Sequence, residues 1–326
     1  MSQITQLHKK DIVYVAVAVI RDEHGRLLIA KRHAFQDQGG LWEFPGGKLK
    51  QGEHVIEALQ REIKEETRLE LNNFRPLLKV EHAYPNKTVL LDVWLAGGVQ
   101  SKDAVGCDGQ ELKWVEIPEL DQYNFPAANH QIIEALTLPK LHVITGKFEN
   151  STEFSHKIMN ALQLGSGLVQ LRSKMDCNES YFELSVRARL LCKQHRAKLM
   201  LNIPIAEFNY HSADGVHLTS DVLMSLSLPD LIPLYQQGKM VSASTHNKKE
   251  IDKANELLLD YIFLSPVNTT TSHPDATPLG WEKFTELCQF AQCAVYALGG
   301  VSKADLFTAL NAGGMGIAAI NSLWRD

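Results

Sequence analysis

From residue 141 to the end of the chain, short apolar runs recur at regular intervals, separated by polar stretches with helical spacing. Eight such runs can be counted, at 141–145, 168–172, 198–202, 215–218, 240–245, 261–266, 294–299 and 316–320. Runs that are apolar along nearly their whole length suit strands buried on both faces, as in a parallel sheet covered by helices. Eight β/α units in so short a chain predict a compact (β/α)8 barrel, a TIM barrel in architecture.

The first part of the chain has a different rhythm. Residues 12–20 are apolar, a turn at Asp22–Gly25 follows, and residues 26–31 complete a hairpin. A Gly-rich loop covers 35–47, helical periodicity covers 53–69, and strands are expected at 89–95 and 112–117. A short helix is expected at 129–136. Strands around one strong helix predict an α+β unit, an αβα sandwich. The change of style at Leu138-Pro139 divides the chain into domains 1–138 and 139–326.

Composition narrows the function. The 326 residues carry a net charge of −5, with no Lys/Arg stripe to displace counterions, which argues against duplex nucleic acid as a partner. Five cysteines without a CxxC pair suit free thiols in a reducing compartment. The N-terminus has no apolar signal region and no run is long enough to span a membrane, so a cytoplasmic protein without a membrane partner is expected.

The first domain carries a dense acidic cassette. Gly47 is followed after five residues by Glu53, and after seven more by Arg61-Glu62-Ile63-Lys64-Glu65-Glu66-Thr67-Arg68-Leu69. On a helix, Glu62 shares a face with Glu65 and Glu66, and like charges at that spacing repel. A divalent cation turns the repulsion into coordination, and an oxygen-only site favours Mg²⁺ or Mn²⁺. Such an ion bridges carboxylates to a diphosphate and lowers the pKa of an attacking water. Ile56, Leu59 and Ile63 lie on another stripe, able to bury against a sheet. Glu53 stands close enough to add a ligand or a general base, and Arg61 to fork a carboxylate. The Gly46-Gly47 backbone leaves room for a phosphate. A solvated acidic helix is the competing account of any run with this composition.

The spacing G-x5-E-x7-R-E-U-x-E-E-x-G-U, with U a bulky apolar residue, resembles the Nudix box at every specified position except one. Arg68 stands where the family has glycine. A helix end with positive φ is expected there, and a non-Gly residue costs on the order of 1 kcal/mol or extends the helix slightly. The resemblance implies catalytic roles for Glu53, Arg61, Glu62, Glu65, Glu66 and Asp108. It places Gly47, Glu62, Glu65, Glu66 and Asp108 around the metal. Asp108 aligns with a further acidic residue of the family, and Glu111 lies close enough in sequence to compete for the role.

Residues 12–136 are similar in particular to the mutator-type 8-oxo-dGTP diphosphatases. Leu41-Trp42-Glu43-Phe44-Pro45-Gly46-Gly47-Lys48 matches their loop into the box, and Phe125-Pro126-Ala127-Ala128-Asn129 the segment whose Asn recognises the oxidised purine. An amide offers a donor and an acceptor together, which suits the O6/N7 edge of 8-oxoguanine. Arg32 and Phe44 fall where the family contacts the nucleotide. Taken singly, Asn129 also suits a helix N-cap, Arg32 a solvated base and Phe44 a core aromatic.

Residues 141–323 resemble thiamine phosphate synthase and its thiazole tautomerase relatives. Gln170-Leu171-Arg172-Ser173-Lys174 is similar to QLRxK, Asp214-Gly215-Val216-His217-Leu218 to DGVHL, Ser242-Ala243-Ser244-Thr245-His246 to GVSTH, and 260–266 to DYIGLGP. Leu298-Gly299-Gly300-Val301 and Gly313 to Ile320 are similar to the paired glycine turns after strands seven and eight. The resemblance implies that Gln170, Arg172, Lys174, Asn202, Ser244, His246, Thr270, Ser272, Gly299, Gly300, Ile320 and Asn321 line a site for a thiazole phosphate or thiamine phosphate. Three departures weaken the synthase reaction. Ile203 stands at one metal-binding Asp of the family, Asp221 reaches the second only across a one-residue gap, and His273 replaces a diphosphate-neutralising Lys.

The expected activity is Mg²⁺-dependent hydrolysis of 8-oxo-dGTP, with a barrel lacking full synthase activity. The alternative is a thiamine-pathway protein, in which the Nudix half hydrolyses thiamine-type or damaged diphosphates and the barrel is a synthase, a tautomerase or a ligand sensor.

Overall fold

The computed structural model describes residues 12–35, 38–107, 109–172, 180–270 and 277–325. The chain splits into two compact units, Met1–Thr137 and Leu138–Asp326.

The first unit is built on β1 (Ile12–Asp22), β2 (Leu27–Lys31), β3 (Trp42–Glu43), β4 (Gly46–Lys48), β5 (Phe74–Ala83), β6 (Thr88–Val99) and β7 (Leu112–Val115). The sheet order is β3-β2-β1-β6-β5, with β4 paired to β1 and β7 to β2. Strand β1 runs parallel to β6 over its length and antiparallel to β4, where Val17 faces Gly46. Helix α1 (Val55–Thr67) buries Ala58, Leu59 and Ile63 against Ala16, Ala18 and Ile20 of β1. The two-residue period of a strand then sends Val17 and Val19 to the opposite face. Helix α2 (Ala127–Thr137) packs against β5 and buries Ile132, Ala135 and Leu136.

Strand β5 has no counterpart in the sequence reading. Pro76 interrupts its pattern and the register slips between Pro76 and Leu78, because proline has no N–H for the ladder. Helix α2 also begins two residues earlier than expected, so Asn129 sits inside its first turn and not at its N-cap.

The second unit is a closed barrel of eight parallel strands: β8 (Leu141–Ile144), β9 (Leu168–Leu171), β10 (Lys198–Leu201), β11 (Gly215–Leu218), β12 (Met240–Thr245), β13 (Tyr261–Leu264), β14 (Ala294–Ala297) and β15 (Gly316–Ala319). The outer ring comprises α3 (Ser151–Gln163), α4 (Tyr181–Gln194), α5 (Ser220–Ser225), α6 (Leu228–Gln236), α7 (Lys248–Glu256), α8 (Gly280–Cys288) and α9 (Leu306–Asn311). Odd positions of the first strands, among them Val143, Val169, Leu171 and Leu199, join helix residues such as Phe154, Ile158 and Leu184 in the core between strands and helices.

The alternate positions, even-numbered in β8 to β10 and odd-numbered in β11 and β13, fill the barrel itself, and they include aromatic and polar residues. His142 lies 4.9 Å from the Phe263 ring, 5.6 Å from Tyr261 and 5.9 Å from Tyr296. Burial holds the His142 imidazole neutral, well below its usual pKa. His217 contacts Ser242 Oγ through Nδ1 and Ser244 Oγ through Nε2, each at 2.9 Å, and burial pushes its pKa down to about 3.

Candidate functional site: an acidic cleft and a barrel cavity

The acidic cassette of the first unit is ordered by α1 and β4. The His54 ring and Glu57 form a reciprocal cap at the start of α1, and Arg68 ends the helix with φ 60°, ψ 2°. The helix therefore stops where the family's glycine would stop it, and the arginine side chain is exposed.

Arg61 organises the carboxylates. Its Nε and Nη2 each donate to Glu53 at 2.7 Å, and its Nη1 donates to Glu62 at 2.5 Å and lies 3.5 Å from Glu65. Nη2 also reaches the Lys48 carbonyl at 3.3 Å, tying α1 to β4. The fork from Arg61, helped by the Lys50 N–H, pulls the Glu53 carboxyl down to about 2, and the same fork raises the Arg61 pKa.

The two glycines of β4 have separate jobs. At Gly46, φ is +151° and an added Cβ would lie 2.1 Å from the Ala16 carbonyl, so the close pairing with β1 admits glycine alone. Its N–H donates to Glu66 Oε2 at 3.2 Å. At Gly47, the Glu62 carboxylate occupies the place a Cβ would take, with all three carboxyl atoms within 2.4 Å of it. Glu62 and Glu66 are thus brought onto the glycine strand, whereas the Glu65 side chain remains 57% exposed.

Hard oxygen donors on a Cβ-free strand fit Mg²⁺ or Mn²⁺. Glu62, Glu65, Glu66 and the Gly47 backbone are the residues that would hold the ion. Among the described residues, no three His, Cys, Asp or Glu side chains are gathered closely enough to hold a metal by themselves. Arg61 takes the Glu62 carboxylate instead. Asp108 lies outside the described residues. Its flanks reach the end of α1, where Cys107 N–H and Gln110 Nε2 both donate to the Glu66 carbonyl. Glu111 is paired with Lys31 and Lys113.

Beside the cassette, Phe44 stacks on Phe125 at 5.6 Å, and the Trp42 N–H donates to the Asn124 carbonyl at 2.8 Å. These contacts bring the segment ending in Asn129 up to the β3–β4 loop. Asn129 is 8% exposed, and among the described residues no hydrogen bond engages its amide. Arg32 donates to Glu43, whose carboxyl is pushed up by burial against the pull of that arginine.

At the C-terminal end of the barrel strands lies a cavity of about 1070 Å³. Gln170, Arg172, Asn202, Ser244 and His246 line it from β9, β10 and β12. Thr270, Gly299, Gly300, Ile320 and Asn321 line it from the loops after β13, β14 and β15. Lys174, Ser272 and His273 lie outside the described residues. At Gly300 the backbone passes so near Thr269 that a Cβ would sit 2.4 Å from its carbonyl oxygen. His246 Nδ1 contacts Glu250 Oε2 at 2.9 Å. Gln170 Oε1 is buried without a partner among the described residues.

Among the further cavity residues that the sequence reading passed over are His217, Phe263 and Arg325. His217 and Phe263 stand inside motifs quoted for their neighbours, at the third position of β11 and of β13, between outward-facing Val216 and Leu218 and between Ile262 and Leu264, so alternation alone would have found them. Arg325 carried no signal.

Where the departures fall is informative. Ile203 packs against the barrel's apolar core, and Asp221 is exposed in the first turn of α5 while Thr219 lines the cavity. Neither supplies a carboxylate to the cavity.

An acidic helix face held on a glycine strand, followed by a closed parallel barrel with its cavity at the strand C-termini, defines a hydrolase domain joined to a TIM-barrel domain. The chain belongs to the Nudix family through residues 16–135, which match the NUDIX domain, and to the thiamine monophosphate synthase family through residues 141–323. The first domain is similar to 8-oxo-dGTP diphosphatase of Haemophilus influenzae, 35% identical over 132 residues, covering 39% of this chain and 93% of that protein. The enzyme of the same name from Escherichia coli is 32% identical over 122 residues, covering 37% and 94%. The barrel is similar to a putative thiamine-phosphate synthase of Aquifex aeolicus, 30% identical over 186 residues, covering 57% of this chain and 98% of that protein. Among the described residues, no helix is long and apolar enough to cross a membrane.

Proposed function

We propose that the first domain hydrolyses 8-oxo-dGTP to 8-oxo-dGMP and diphosphate, using Mg²⁺ or Mn²⁺ held by Glu62, Glu65 and Glu66 with Asp108. The ion screens the phosphates and activates a water when bound. Arg61 holds Glu53 and Glu62 in place, and Gly47 gives Glu62 its position. The observation that carries the substrate is Asn129. It is buried within the first turn of α2 and not used as a cap, and among the described residues no hydrogen bond engages its amide. With donor and acceptor both unengaged among the described residues, the amide can pair with a base edge of matched acceptor and donor.

The test is diphosphate release by the full chain from 8-oxo-dGTP and from dGTP. Asn129→Ala should lower kcat/KM for 8-oxo-dGTP by roughly 10- to 100-fold, about 1.4–2.7 kcal/mol, and leave dGTP nearly unchanged. Equal losses on both substrates would remove Asn129 from base recognition.

For the barrel, the reading is a site for a thiazole phosphate or a related phosphorylated ligand without full synthase activity. Ile203 supports it, because an apolar side chain packed into the core stands at a metal-binding position. Family membership of the barrel also favours a second reading, in which the Nudix half acts on thiamine-type diphosphates. A preference for such diphosphates over 8-oxo-dGTP of more than about tenfold in kcat/KM would establish it over the first.

A further inference from the structure

The wall of the barrel cavity carries positive charge and, among the described residues, neither Asp nor Glu. Arg172 enters it after β9 and Arg325 after β15, and among the described residues no carboxylate pairs with either guanidinium. His246 is already met by Glu250 at 2.9 Å, and burial keeps His217 neutral. A cleft lined by one sign of charge concentrates ligands of the other sign. A divalent cation meets the opposite arrangement, because Mg²⁺ is held through one or two carboxylates besides the phosphate oxygens. Ile203 packs into the apolar core and Asp221 is exposed on α5, so the donor set of the described wall does not fit the ion.

Arg325 is exposed, yet its backbone is fixed. Trp324 beside it is 6% exposed, lies 5.8 Å from the Phe154 ring and donates through Nε1 to the Lys147 carbonyl at 2.9 Å. Gly146 makes room for that indole, since a Cβ there would lie 2.8 Å from Trp324 Cδ1. Ser322 Oγ donates to the Val301 carbonyl at 2.9 Å, which joins the segment to the glycine loop after β14. On this frame Arg325 Nε donates to the Asn321 carbonyl at 3.3 Å, and both Nη groups have no acceptor among the described residues. The N–H groups of Gly299 and Gly300, in the loop that Ser322 grips, have no acceptor among the described residues either. Backbone N–H donors beside an open guanidinium fork suit the oxygens of a phosphate.

We propose that Arg325 is a phosphate-binding residue of the barrel, and that the barrel takes a phosphate monoester without a divalent cation. A monoester carries a charge of about −1.5 to −2 near neutral pH, which the two arginines match, whereas a diphosphate exceeds it. The proposal rests on the reading of the barrel as a site for a phosphorylated ligand and adds to it the residue and the independence from metal.

Calorimetric titration of the full chain tests it, with a thiazole phosphate and inorganic phosphate as probes, each in EDTA and in excess Mg²⁺. The thiazole phosphate should bind in EDTA with a Kd within about threefold of that in Mg²⁺. Arg325→Ala should weaken binding in EDTA by roughly 10- to 100-fold, and Arg325→Lys should recover part of the loss, since it keeps the charge without the fork. Arg325→Ala in Mg²⁺ separates the barrel from phosphate binding by the first domain, and circular dichroism of each variant separates loss of binding from loss of the fold. Binding by the parent only in Mg²⁺ overturns the proposal and leaves the thiazole reading standing. So does a folded Arg325→Ala that binds within about twofold of the parent. Arg325-dependent binding of inorganic phosphate, with the thiazole phosphate no tighter, upholds the phosphate site and removes the thiazole reading. If neither probe binds in either buffer, the proposal is overturned together with that reading.

Discussion

Substituting Gly47 by alanine tests the catalytic geometry with one carbon atom. The new Cβ would lie 2.2 Å from Glu62 Cδ and 2.4 Å from both of its oxygens, whereas ordinary van der Waals contact begins near 3.4 Å. The carboxylate must therefore retreat by about 1.2 Å, and it can, because it is the far end of a flexible side chain. Folding should feel little. Gly47 does not have the positive φ of Gly46, so alanine is locally tolerated, and the stiffer unfolded chain offsets part of any loss, leaving a change within about 1 kcal/mol. Activity should feel much more. A misplacement of about 1 Å in a group that positions a reacting centre is worth on the order of 100-fold, or about 2.7 kcal/mol. The assay is steady-state diphosphate release with Mg²⁺, with urea unfolding of the same samples. Gly97→Ala is the control, since its Cβ meets nothing closer than 3.7 Å. If Gly47→Ala folds and keeps kcat/KM within about threefold of the parent, Glu62 does not work where the structure places it.

Other perturbations follow from the same geometry. Arg68→Gly relieves a left-handed residue whose side chain is exposed, and it should raise the urea midpoint of the first domain by an amount equivalent to about 0.5–1 kcal/mol without changing turnover; an unchanged or lowered midpoint would contradict it. His217 is neutral when folded and accepts a proton near pH 6.5 when unfolded, so its contribution is complete above pH 6.5 and declines as pH falls toward about 3. Between pH 6.5 and 5 the barrel should lose about 2 kcal/mol through His217, and His217→Asn should flatten that decline in urea titrations at the two pH values. Ile203→Asp removes an apolar contact with the barrel core and should lower barrel stability by roughly 1–3 kcal/mol, as read from the urea midpoint, without producing synthase turnover.

The barrel was legible because each strand is a short apolar run between polar helices, a signal repeated eight times along the chain. All eight strands lie within the expected runs. The first domain was read less completely, and the reasons are local. Strand β5 contains Pro76, and β3 and β4 are two and three residues long, too short for any period to register. Spacing identified the carboxylates of the cassette, but not how they are shared. That Arg61 forks Glu53 while also holding Glu62, and that Gly47 exists to seat a carboxylate, depend on where β4 meets α1. The inward aromatic filling of the barrel escaped notice because sequence motifs draw attention to polar residues at strand ends, whereas Phe263 and Tyr296 act one layer below.

The same cassette explains how the fold tolerates its own chemistry. Glu62, Glu65 and Glu66 on one helix face repel, and in a helix without compensation each like pair at this spacing costs a few tenths of a kcal/mol. Arg61 reduces that repulsion. Its guanidinium touches three carboxylates, and its two-pronged bond goes to Glu53, which lies outside the helix and remains ionised down to about pH 2. The arginine is therefore anchored on Glu53 and shared with Glu62. A cation at the glycine strand would compete with Arg61 for Glu62 and, at the longer 3.5 Å contact, for Glu65, while Glu53 would keep the arginine in place. It follows that Glu53→Gln should weaken catalysis less by altering the ion than by freeing Arg61 to bind Glu62 more tightly. Raising the Mg²⁺ concentration should then recover part of the lost turnover in Glu53→Gln, and none of it in Glu62→Gln. Equal behaviour of the two variants would show that Glu53 serves as a ligand or a base in its own right.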